Sequence, residues 1–237
     1  MLIIFGGGIL MSIITYDRKQ DEVLLPIEVD EILKRKKLQI ILKRGFDIIF
    51  SLLGLIVLLP AFLVIATAIK LDSNGPVFFR QVRVGKNGKE FKILKFRTMV
   101  VDAEKKGLQI TVDKDSRITK VGRFLRKYKL DEFPQLINVL VGDMSFVGPR
   151  PEVPKYVALY NDEQKIVLKV KPGITDIASI EYKDENTLLN QNDNPEKTYI
   201  EEIMPAKLKL NIDYIKSISI IYDIKLILKT MFVIFKS

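Results

Sequence analysis

The feature that most limits what this chain can fold into is one long apolar stretch. From Gly45 to Ile69 the sequence runs for 25 residues with Asp47 as its sole charged side chain. About 20 apolar residues in a helix suffice to cross the hydrocarbon core of a bilayer, and a buried helix of this length without polar relief is improbable in a soluble protein. The stretch therefore predicts a helix that lies in lipid.

Two geometries fit this helix, and the residues alone leave both open. The helix either spans the bilayer or is re-entrant, which means that it enters one leaflet, bends and returns to the same face. Pro60 favours the bend, because proline lacks a backbone N–H and kinks a helix interior. Basic residues flank both ends of the stretch, so the positive-inside rule gives no reason to place the ends on opposite sides.

The missing residue types exclude several kinds of chemistry. The 237 residues contain no histidine and no cysteine. Ser-His-Asp catalysis, histidine acid–base catalysis, disulfides and thiolate metal sites are therefore excluded. The formal net charge of +9 predicts anionic partners, such as phospholipid headgroups, phosphorylated small molecules or nucleic acid.

The remaining sequence predicts an α+β, mostly helical fold with a small β-hairpin. Residues 76–84 and 90–96 are β-rich, and the turn between them contains Asn87-Gly88, which is typical of a hairpin. Helical spacing appears in four segments: 100–110, 120–141, 155–170 and 205–236. Loops are expected at 144–154 and 183–197. The last helical segment suits either core packing or a membrane interface.

Three basic stretches are candidates for chemistry, and one of them carries two adjacent carboxylates. Asp131 and Glu132 follow four basic residues at short spacing: Arg123, Arg126, Lys127 and Lys129. Adjacent carboxylates could supply a nucleophile or metal ligand and a base, while the cations hold phosphate. A solvated helix surface shows the same pattern, so both interpretations stay open on the residues alone.

The other two stretches could hold phosphate as well. Lys95 and Arg97 share one face of the second predicted strand, where they could clamp an anion or merely protect an exposed strand edge. Arg150 stands between Pro149 and Pro151, so its backbone has little freedom to lose when it binds an anion, although a simple turn would look the same. No Rossmann or P-loop pattern occurs.

Several motifs in a fixed order resemble the bacterial sugar transferase family, the monotopic polyprenol-phosphate phosphoglycosyl transferases. The matching stretches are Lys43–Asp47, Ile69–Gln81, Lys95–Met99, Gly122–Arg126, Leu130–Leu140, Gly142–Pro151 and Lys171–Thr175, followed by Asp213, Tyr214, Ser217 and Asp223. They extend over residues 40–236. With about 40 residues before this unit, the resemblance is to the short form of the family.

The resemblance implies an enzyme that transfers a sugar 1-phosphate from a UDP-sugar to polyprenol (undecaprenyl) phosphate. This is the first membrane step of polysaccharide or glycoconjugate synthesis, as in exopolysaccharide or capsule production. Asp131 corresponds to the nucleophile, which would form a phosphosugar-aspartyl intermediate and release UMP, with Mg²⁺ held at Asp131. Glu132 corresponds to the companion carboxylate.

The resemblance also assigns the remaining site residues and the membrane placement. The expected substrate-binding residues are Arg126, Arg150, Lys95, Arg97 and Gln135. Pro60 matches the break of a re-entrant helix, so the bilayer is an expected partner, and the catalytic domain would lie on the cytoplasmic face of the bacterial inner membrane.

The expected parts are an N-terminal extension (1–40), a membrane-embedded re-entrant helix (41–72) and a catalytic domain with interfacial helices (73–237). Residues 1–15 are apolar but shorter than a bilayer span, and they lack the features of a secretory signal. We interpret them as a misassigned start or as a segment loosely held at the membrane surface.

Two departures and two alternatives accompany the resemblance. Leu59 precedes Pro60 where serine is frequent in the family, and Asp176–Ser179 departs from the usual pattern where the sugar pocket is expected. The motifs therefore assign neither the sugar nor an oligomeric state. One alternative is a membrane-tethered basic protein without catalysis, but no base-stacking motif supports nucleic acid as a partner. The other, an inactive family member, is disfavoured by the intact carboxylate pair.

Overall fold

A computed structural model describes residues 26–101, 103, 115–183, 185–190 and 194–236. The predicted segment 1–15 and most of the predicted helix 100–110 lie outside these residues. The described part is mostly helical and contains a small antiparallel hairpin, which confirms the α+β, mostly helical prediction.

Helix α1 (Pro26–Arg35) leads into α2 (Lys37–Asp72), which contains the apolar stretch. At 1.5 Å per residue, the 36 residues of α2 extend for about 54 Å. Among the described residues, α2 is the one helix that is long and apolar enough to cross a membrane. Its middle is exposed, with Val57 74% accessible. The helix is continuous through Pro60, and the re-entrant bend stays a prediction.

The predicted hairpin is confirmed. Strand β1 (Phe78–Val84) pairs antiparallel with β2 (Glu90–Phe96), with Phe78 opposite Phe96 and Val84 opposite Glu90. Asn87 and Gly88 adopt φ values of 58° and 74° in the connecting turn, which asparagine and glycine tolerate better than other residues.

The predicted helical segment 120–141 is interrupted in its middle. The chain forms α3 (Lys120–Lys127), a 3₁₀ turn (Leu130–Glu132) and α4 (Gln135–Val141). Lys129 takes a left-handed conformation with φ 55°, which ends the helical path, and Pro134 has no N–H to continue it. The interruption gives Asp131 and Glu132 a turn of their own.

Two further predictions need correction. The segment 155–170 is not one helix but α5 (Pro154–Val157) and a 3₁₀ segment (Gln164–Lys169). The predicted loop 183–197 contains α7 (Glu185–Asn190) and α8 (Pro195–Thr198), which follow α6 (Ile177–Glu181). Helices this short are stabilised by the packing of the surrounding domain rather than by helix propensity.

A second, parallel pair of strands lies beneath the loop that carries Arg150. Strand β3 (Ser145–Val147) pairs with β4 (Gly173–Thr175). Gly148 allows the close approach of the two chain segments, since a Cβ there would lie 2.4 Å from the carbonyl oxygen of Lys171.

The main core surrounds the C-terminal helices. A π-helical segment (Tyr199–Ile203) opens into α9 (Met204–Ser217), and α10 (Ile220–Lys236) follows, so the segment 205–236 is helical with one break. The buried members of this core include Val147, Ile166, Leu208, Ile212, Ile215 and Leu226. An exposed apolar stripe runs along α10: Ile221, Ile224, Leu228 and Phe232.

The N-terminal part of α2 is joined to the domain by buried polar contacts. Arg44 donates from both terminal nitrogens to carbonyls in the last turn of α4, at 2.6 and 2.8 Å. Asp47, the sole charge of the apolar stretch, accepts hydrogen bonds from the Ser145 hydroxyl at 3.1 Å and from the Phe146 N–H at 3.0 Å. Asp47 therefore has a structural role, because its carboxylate joins α2 to β3.

The other end of α2 contacts the same domain. The Asp72 carboxylate accepts a hydrogen bond from the Val121 N–H at 2.9 Å, in the first turn of α3. Ile69 is buried against Phe96 and Leu125. Both ends of this long helix are therefore attached to one globular unit.

Candidate active site

The 3₁₀ turn between α3 and α4 buries Asp131. The residue is 7% exposed, and its Oδ1 atom has no hydrogen-bond partner among the residues that the structure describes. Burial raises the pKa of Asp131, and the charge of Lys95 opposes this effect. A buried carboxylate oxygen without a partner is costly in free energy, so this atom is a candidate acceptor for a substrate group, an ion or a water molecule.

Glu132, the next residue, differs from Asp131 because its carboxylate has two cationic hydrogen-bond partners. Its Oε1 atom accepts hydrogen bonds from Lys95 Nζ and from Arg150 Nη2, both at 2.8 Å. Burial by itself would raise the pKa of Glu132, but Arg150 and Lys95 outweigh it and hold that pKa well below its usual range. Adjacent carboxylates whose environments push their pKa values apart are suited to different roles.

The two cations reach Glu132 from separate elements. Lys95 lies near the end of β2, where burial lowers its pKa. Arg150 lies in the loop after β3, and Glu132 raises its pKa. The side chain of Arg150 is 37% exposed, so it faces both Glu132 and solvent. The structure thus brings together Asp131, Glu132, Lys95 and Arg150, and their roles in catalysis and substrate binding stay a prediction.

Arg126 and Gln135 flank the carboxylate turn on either side. Arg126 lies in the last turn of α3 and donates from Nε to the Thr98 hydroxyl at 3.1 Å. Burial lowers the pKa of Arg126, and the charge of Asp131 opposes that effect, so the two side chains are electrostatically coupled. Gln135 is 1% exposed, and within the described part of the chain its Nε2 donor has no hydrogen-bond partner.

Arg97 has a different set of partners. Its guanidinium donates to the carbonyls of Ser73 and Asn74 at 2.6 and 2.7 Å, just beyond the end of α2. Its hydrogen bonds therefore connect the hairpin to the segment that follows α2, not to the carboxylate pair. Substrate binding by Arg97 stays a prediction.

A family model connects this geometry with known proteins. The model described as bacterial sugar transferase matches residues 38–237. The chain belongs to the bacterial sugar transferase family. The match includes α2, the hairpin and the turn with Asp131 and Glu132, so the resemblance drawn from the sequence motifs is confirmed.

Individual members of the family are similar to this chain over most of its length. A UDP-glucose:undecaprenyl-phosphate glucose-1-phosphate transferase of Klebsiella pneumoniae is 43% identical over 203 residues, which are 82% of this chain and 40% of that protein. A UDP-N-acetylgalactosamine-undecaprenyl-phosphate N-acetylgalactosaminephosphotransferase of Aeromonas hydrophila is 36% identical over 80% of this chain and 43% of its own length.

A third relative is similar in extent to this chain. The exopolysaccharide production protein PSS of Rhizobium leguminosarum bv. phaseoli is 39% identical over 201 residues, which are 82% of this chain and 95% of that protein. By contrast, this sugar transferase chain spans about two fifths of the length of the two preceding relatives.

Asp131 is the residue whose surroundings decide whether the site can hold Mg²⁺. No group of three or more His, Cys, Asp or Glu residues that could hold a metal occurs in the part of the chain that the structure describes. Mg²⁺ is usually bound through one or two carboxylates together with phosphate oxygens and water. The unpartnered Oδ1 of Asp131 fits this mode, in which the substrate supplies the other ligands.

Sequence reasoning missed the residues that hold the charged side chains in place. Thr98 accepts the hydrogen bond of Arg126, and Asn138 joins α4 to β2 by accepting from the Leu94 N–H at 2.9 Å and donating to the Lys92 carbonyl at 2.9 Å. Both lie inside recognised motifs, but a single hydroxyl or carboxamide has no pattern that indicates its partner.

Proposed function

We propose that this chain transfers a sugar 1-phosphate from a UDP-sugar to polyprenol (undecaprenyl) phosphate, with Asp131 as the nucleophile. The observation that carries the proposal is the buried, unpartnered oxygen of Asp131 beside a Glu132 that two cations hold ionised. The family relationship supports the same reaction class, since several relatives are named for undecaprenyl-phosphate sugar-phosphate transfer.

In the first step, the Asp131 carboxylate attacks the β-phosphorus of the UDP-sugar. A bond forms between Asp131 and that phosphorus while its bond to the bridging oxygen breaks. The bridging oxygen leaves with UMP, and the sugar phosphate stays on the protein as an acyl phosphate. Covalent catalysis of this kind divides one difficult displacement into two easier ones.

In the second step, a phosphate oxygen of polyprenol phosphate attacks the same phosphorus. The bond to Asp131 breaks, the carboxylate is regenerated, and the product is a lipid diphosphosugar. Each step transfers the same phosphoryl group, so one set of cations can stabilise its charge both times.

The cations reduce the electrostatic repulsion between a carboxylate and an anionic diphosphate. Arg150 is partly exposed and within hydrogen-bond distance of Glu132, so it can bind phosphate without leaving the site. Arg126 and the free donor of Gln135 contribute from the helices on either side. Mg²⁺ at Asp131, when bound with the diphosphate, would further neutralise the developing charge.

The membrane placement follows from the two substrates, since one dissolves in water and the other in lipid. Helix α2 exposes its apolar middle. Phe124 on α3 and Tyr128 directly after that helix are also exposed, with ring centroids 4.9 Å apart. Aromatic side chains of this kind favour the membrane interface. We propose that α3 and α10 lie at the cytoplasmic face of the inner membrane, so that polyprenol phosphate reaches Asp131 from the bilayer.

A re-entrant α2 fits this placement better than a spanning one. Both ends of α2 are attached to the same domain, through Arg44 and Asp47 at one end and Asp72 at the other. A helix that crossed the bilayer would separate these ends by the full membrane thickness. A bend at Pro60 keeps both ends at one face while the apolar middle enters the lipid.

Replacement of Asp131 tests the chemistry. Asp131→Asn keeps the shape of the side chain but removes the nucleophilic oxygen, so UMP release from a UDP-sugar should fall to background. Asp162→Asn changes an exposed carboxylate elsewhere and should leave UMP release unchanged. Undiminished UMP release by Asp131→Asn would show that the assigned nucleophile is wrong. A panel of UDP-sugars in the same assay identifies the sugar.

Trapping the intermediate tests the covalent step. Incubation with a UDP-sugar labelled in the β-phosphate, without the lipid acceptor, should leave label on the wild-type protein and none on Asp131→Asn. Absence of label on an active wild-type protein would indicate direct transfer between the two substrates.

Cysteine labelling tests the topology, because the chain has no natural cysteine. Lys37→Cys and Lys70→Cys replace exposed lysines at the two ends of α2. In intact cells, a membrane-impermeant thiol reagent should label neither variant, and both should react after the membrane is opened. Labelling of one variant alone in intact cells would show that α2 spans the bilayer.

A further inference from the structure

The loop that carries Arg150 is held by its neighbours on both sides. Pro149 and Pro151 lack an N–H, so their carbonyl groups are the backbone atoms that can anchor them. The Pro149 carbonyl accepts from the Gly173 N–H at 3.0 Å. The Pro151 carbonyl accepts from Arg83 Nη1 at 3.1 Å. The backbone of Arg150 is thus supported from β4 on one side and from β1 on the other.

Arg83 lies on β1, and hydrogen bonds fix the position of its guanidinium group. Its Nε and Nη2 atoms donate to Gln81 Oε1 at 3.1 and 2.8 Å, and its Nη1 donates to Glu152 Oε1 at 3.0 Å as well as to Pro151. A planar guanidinium with partners on three nitrogens has one orientation. The backbone of the loop is joined to the same strand, since the Val84 N–H donates to the Glu152 carbonyl at 2.9 Å.

Glu152 connects this arrangement to the C-terminal core. Its second carboxylate oxygen accepts a hydrogen bond from the Tyr199 hydroxyl at 2.5 Å, and its first accepts from the Val153 N–H at 2.8 Å. Tyr199 is buried at the start of the segment that leads into α9. Burial and the Glu152 charge raise the pKa of Tyr199, so the hydroxyl keeps its proton throughout the neutral range.

We propose that Arg83, Glu152 and Tyr199 are positioning residues that set the direction in which Arg150 approaches Glu132 and the substrate diphosphate. They lie behind the loop and act through Arg150 rather than on the substrate. The inference rests on the proposed function, because it takes Arg150 to receive the diphosphate. No sequence motif indicates this role, which depends on β1, the Arg150 loop and the Tyr199 segment meeting in three dimensions.

The need for such a network follows from the flexibility of arginine. Four side-chain torsions let an unanchored Arg150 occupy many positions, and a displacement of about 1 Å at a catalytic group can cost about 100-fold in rate. Glu132 holds the guanidinium end at 2.8 Å, while the network holds the backbone end. Release of the backbone end should therefore reduce turnover without abolishing it.

A double-mutant cycle tests whether Glu152 acts through Arg150. We expect Glu152→Ala to lower kcat/KM for UMP release about tenfold and Arg150→Ala to lower it further, in line with the cost of a misplaced catalytic cation. In the double variant the two losses should not multiply, since Glu152 has nothing left to position once Arg150 is absent. Losses that multiply would overturn the inference.

Conservative variants separate positioning from general stability. Glu152→Gln keeps an acceptor for Arg83 and should lose about threefold, less than Glu152→Ala. Tyr199→Phe removes one hydroxyl. If Glu152→Ala does not fold, Tyr199→Phe replaces it in the double-mutant cycle with Arg150→Ala. Glu31→Gln breaks the exposed ion pair with Arg35 within α1 and should show no coupling to Arg150.

The assay also distinguishes this inference from the proposed function. If the wild-type protein does not release UMP, or does so independently of Asp131, the proposed function fails. If UMP release depends on Asp131 but the losses in the cycle multiply, the positioning role alone is overturned. A positioning role further predicts that Tyr199→Phe lowers kcat/KM in the wild-type background but not in the Arg150→Ala background, whereas a general loss of stability would lower it in both.

Discussion

Removal of the Lys95 charge should move the pH dependence of the reaction in a defined direction. Asp131 attacks as a carboxylate, so activity falls as the pH drops through its pKa, and this fall is the acid limb of the kcat/KM profile. Burial raises that pKa and Lys95 lowers it. In Lys95→Met the side chain keeps a similar length but loses its charge, so the acid limb should move to higher pH.

The magnitude follows from the position of the ammonium group. Lys95 Nζ lies 2.8 Å from the carboxylate of Glu132, the residue next to Asp131. A charge within a few ångströms alters carboxylate protonation by about 1–3 pH units, and partial exposure of the Lys95 side chain, 19%, favours the lower end. Loss of Lys95 also leaves Glu132 less neutralised, which acts in the same direction. We expect the acid limb to move up by about one pH unit.

The assay is UMP release at subsaturating UDP-sugar across pH 5–9, since kcat/KM reports the ionisation of the free enzyme. Lys92→Met is a matched control, because Lys92 is an exposed lysine on the same strand. Its profile should coincide with the wild type. An acid limb that stays in place or moves to lower pH in a folded Lys95→Met variant would refute the electrostatic reasoning.

Three further predictions concern stability and metal dependence. Asp47→Ala leaves the Ser145 hydroxyl and the Phe146 N–H without their acceptor. We expect it to lower the free energy of unfolding, measured by denaturation in detergent, by about 2–4 kcal/mol. An unchanged free energy of unfolding would contradict a structural role for Asp47. Gly148→Ala places a Cβ 2.4 Å from a backbone carbonyl and should lower the thermal midpoint, and a stable variant would show that the strands can separate locally. Chelation should abolish UMP release and leave the thermal midpoint of the substrate-free protein unchanged, because Mg²⁺ is expected to bind with the diphosphate; a lower midpoint would indicate a structural metal.

Local patterns predicted several elements correctly. The hairpin formed where Asn87 and Gly88 allow a left-handed turn, and the apolar stretch became one exposed helix. These features depend on neighbouring residues or on a sum over one segment, which the sequence contains directly. The segment predicted to be helical at 120–141 is helical at both ends, but Lys129 leaves the helical region and lets the carboxylates occupy a turn.

The partners of the site residues could not be predicted in the same way. Lys95 and Arg97 share one expected face of a strand, yet Lys95 binds Glu132 while Arg97 binds the carbonyls after α2. Hydrogen-bond partners depend on how the hairpin, the carboxylate turn and α2 pack together. Strand alternation indicates which way a side chain points, but not what lies there.

The sequence by itself determined that the chain contains one long apolar helix, that histidine and cysteine chemistry is absent, and that the chain belongs to the bacterial sugar transferase family. The tertiary structure alone decided that Asp131 keeps an unpartnered oxygen while Glu132 is held by two cations, 37 residues before it and 18 residues after it. The physical reason is that the length of an apolar segment and its residue types depend on neighbouring positions in the chain. Burial and charge pairing arise only when segments that are distant in the chain meet.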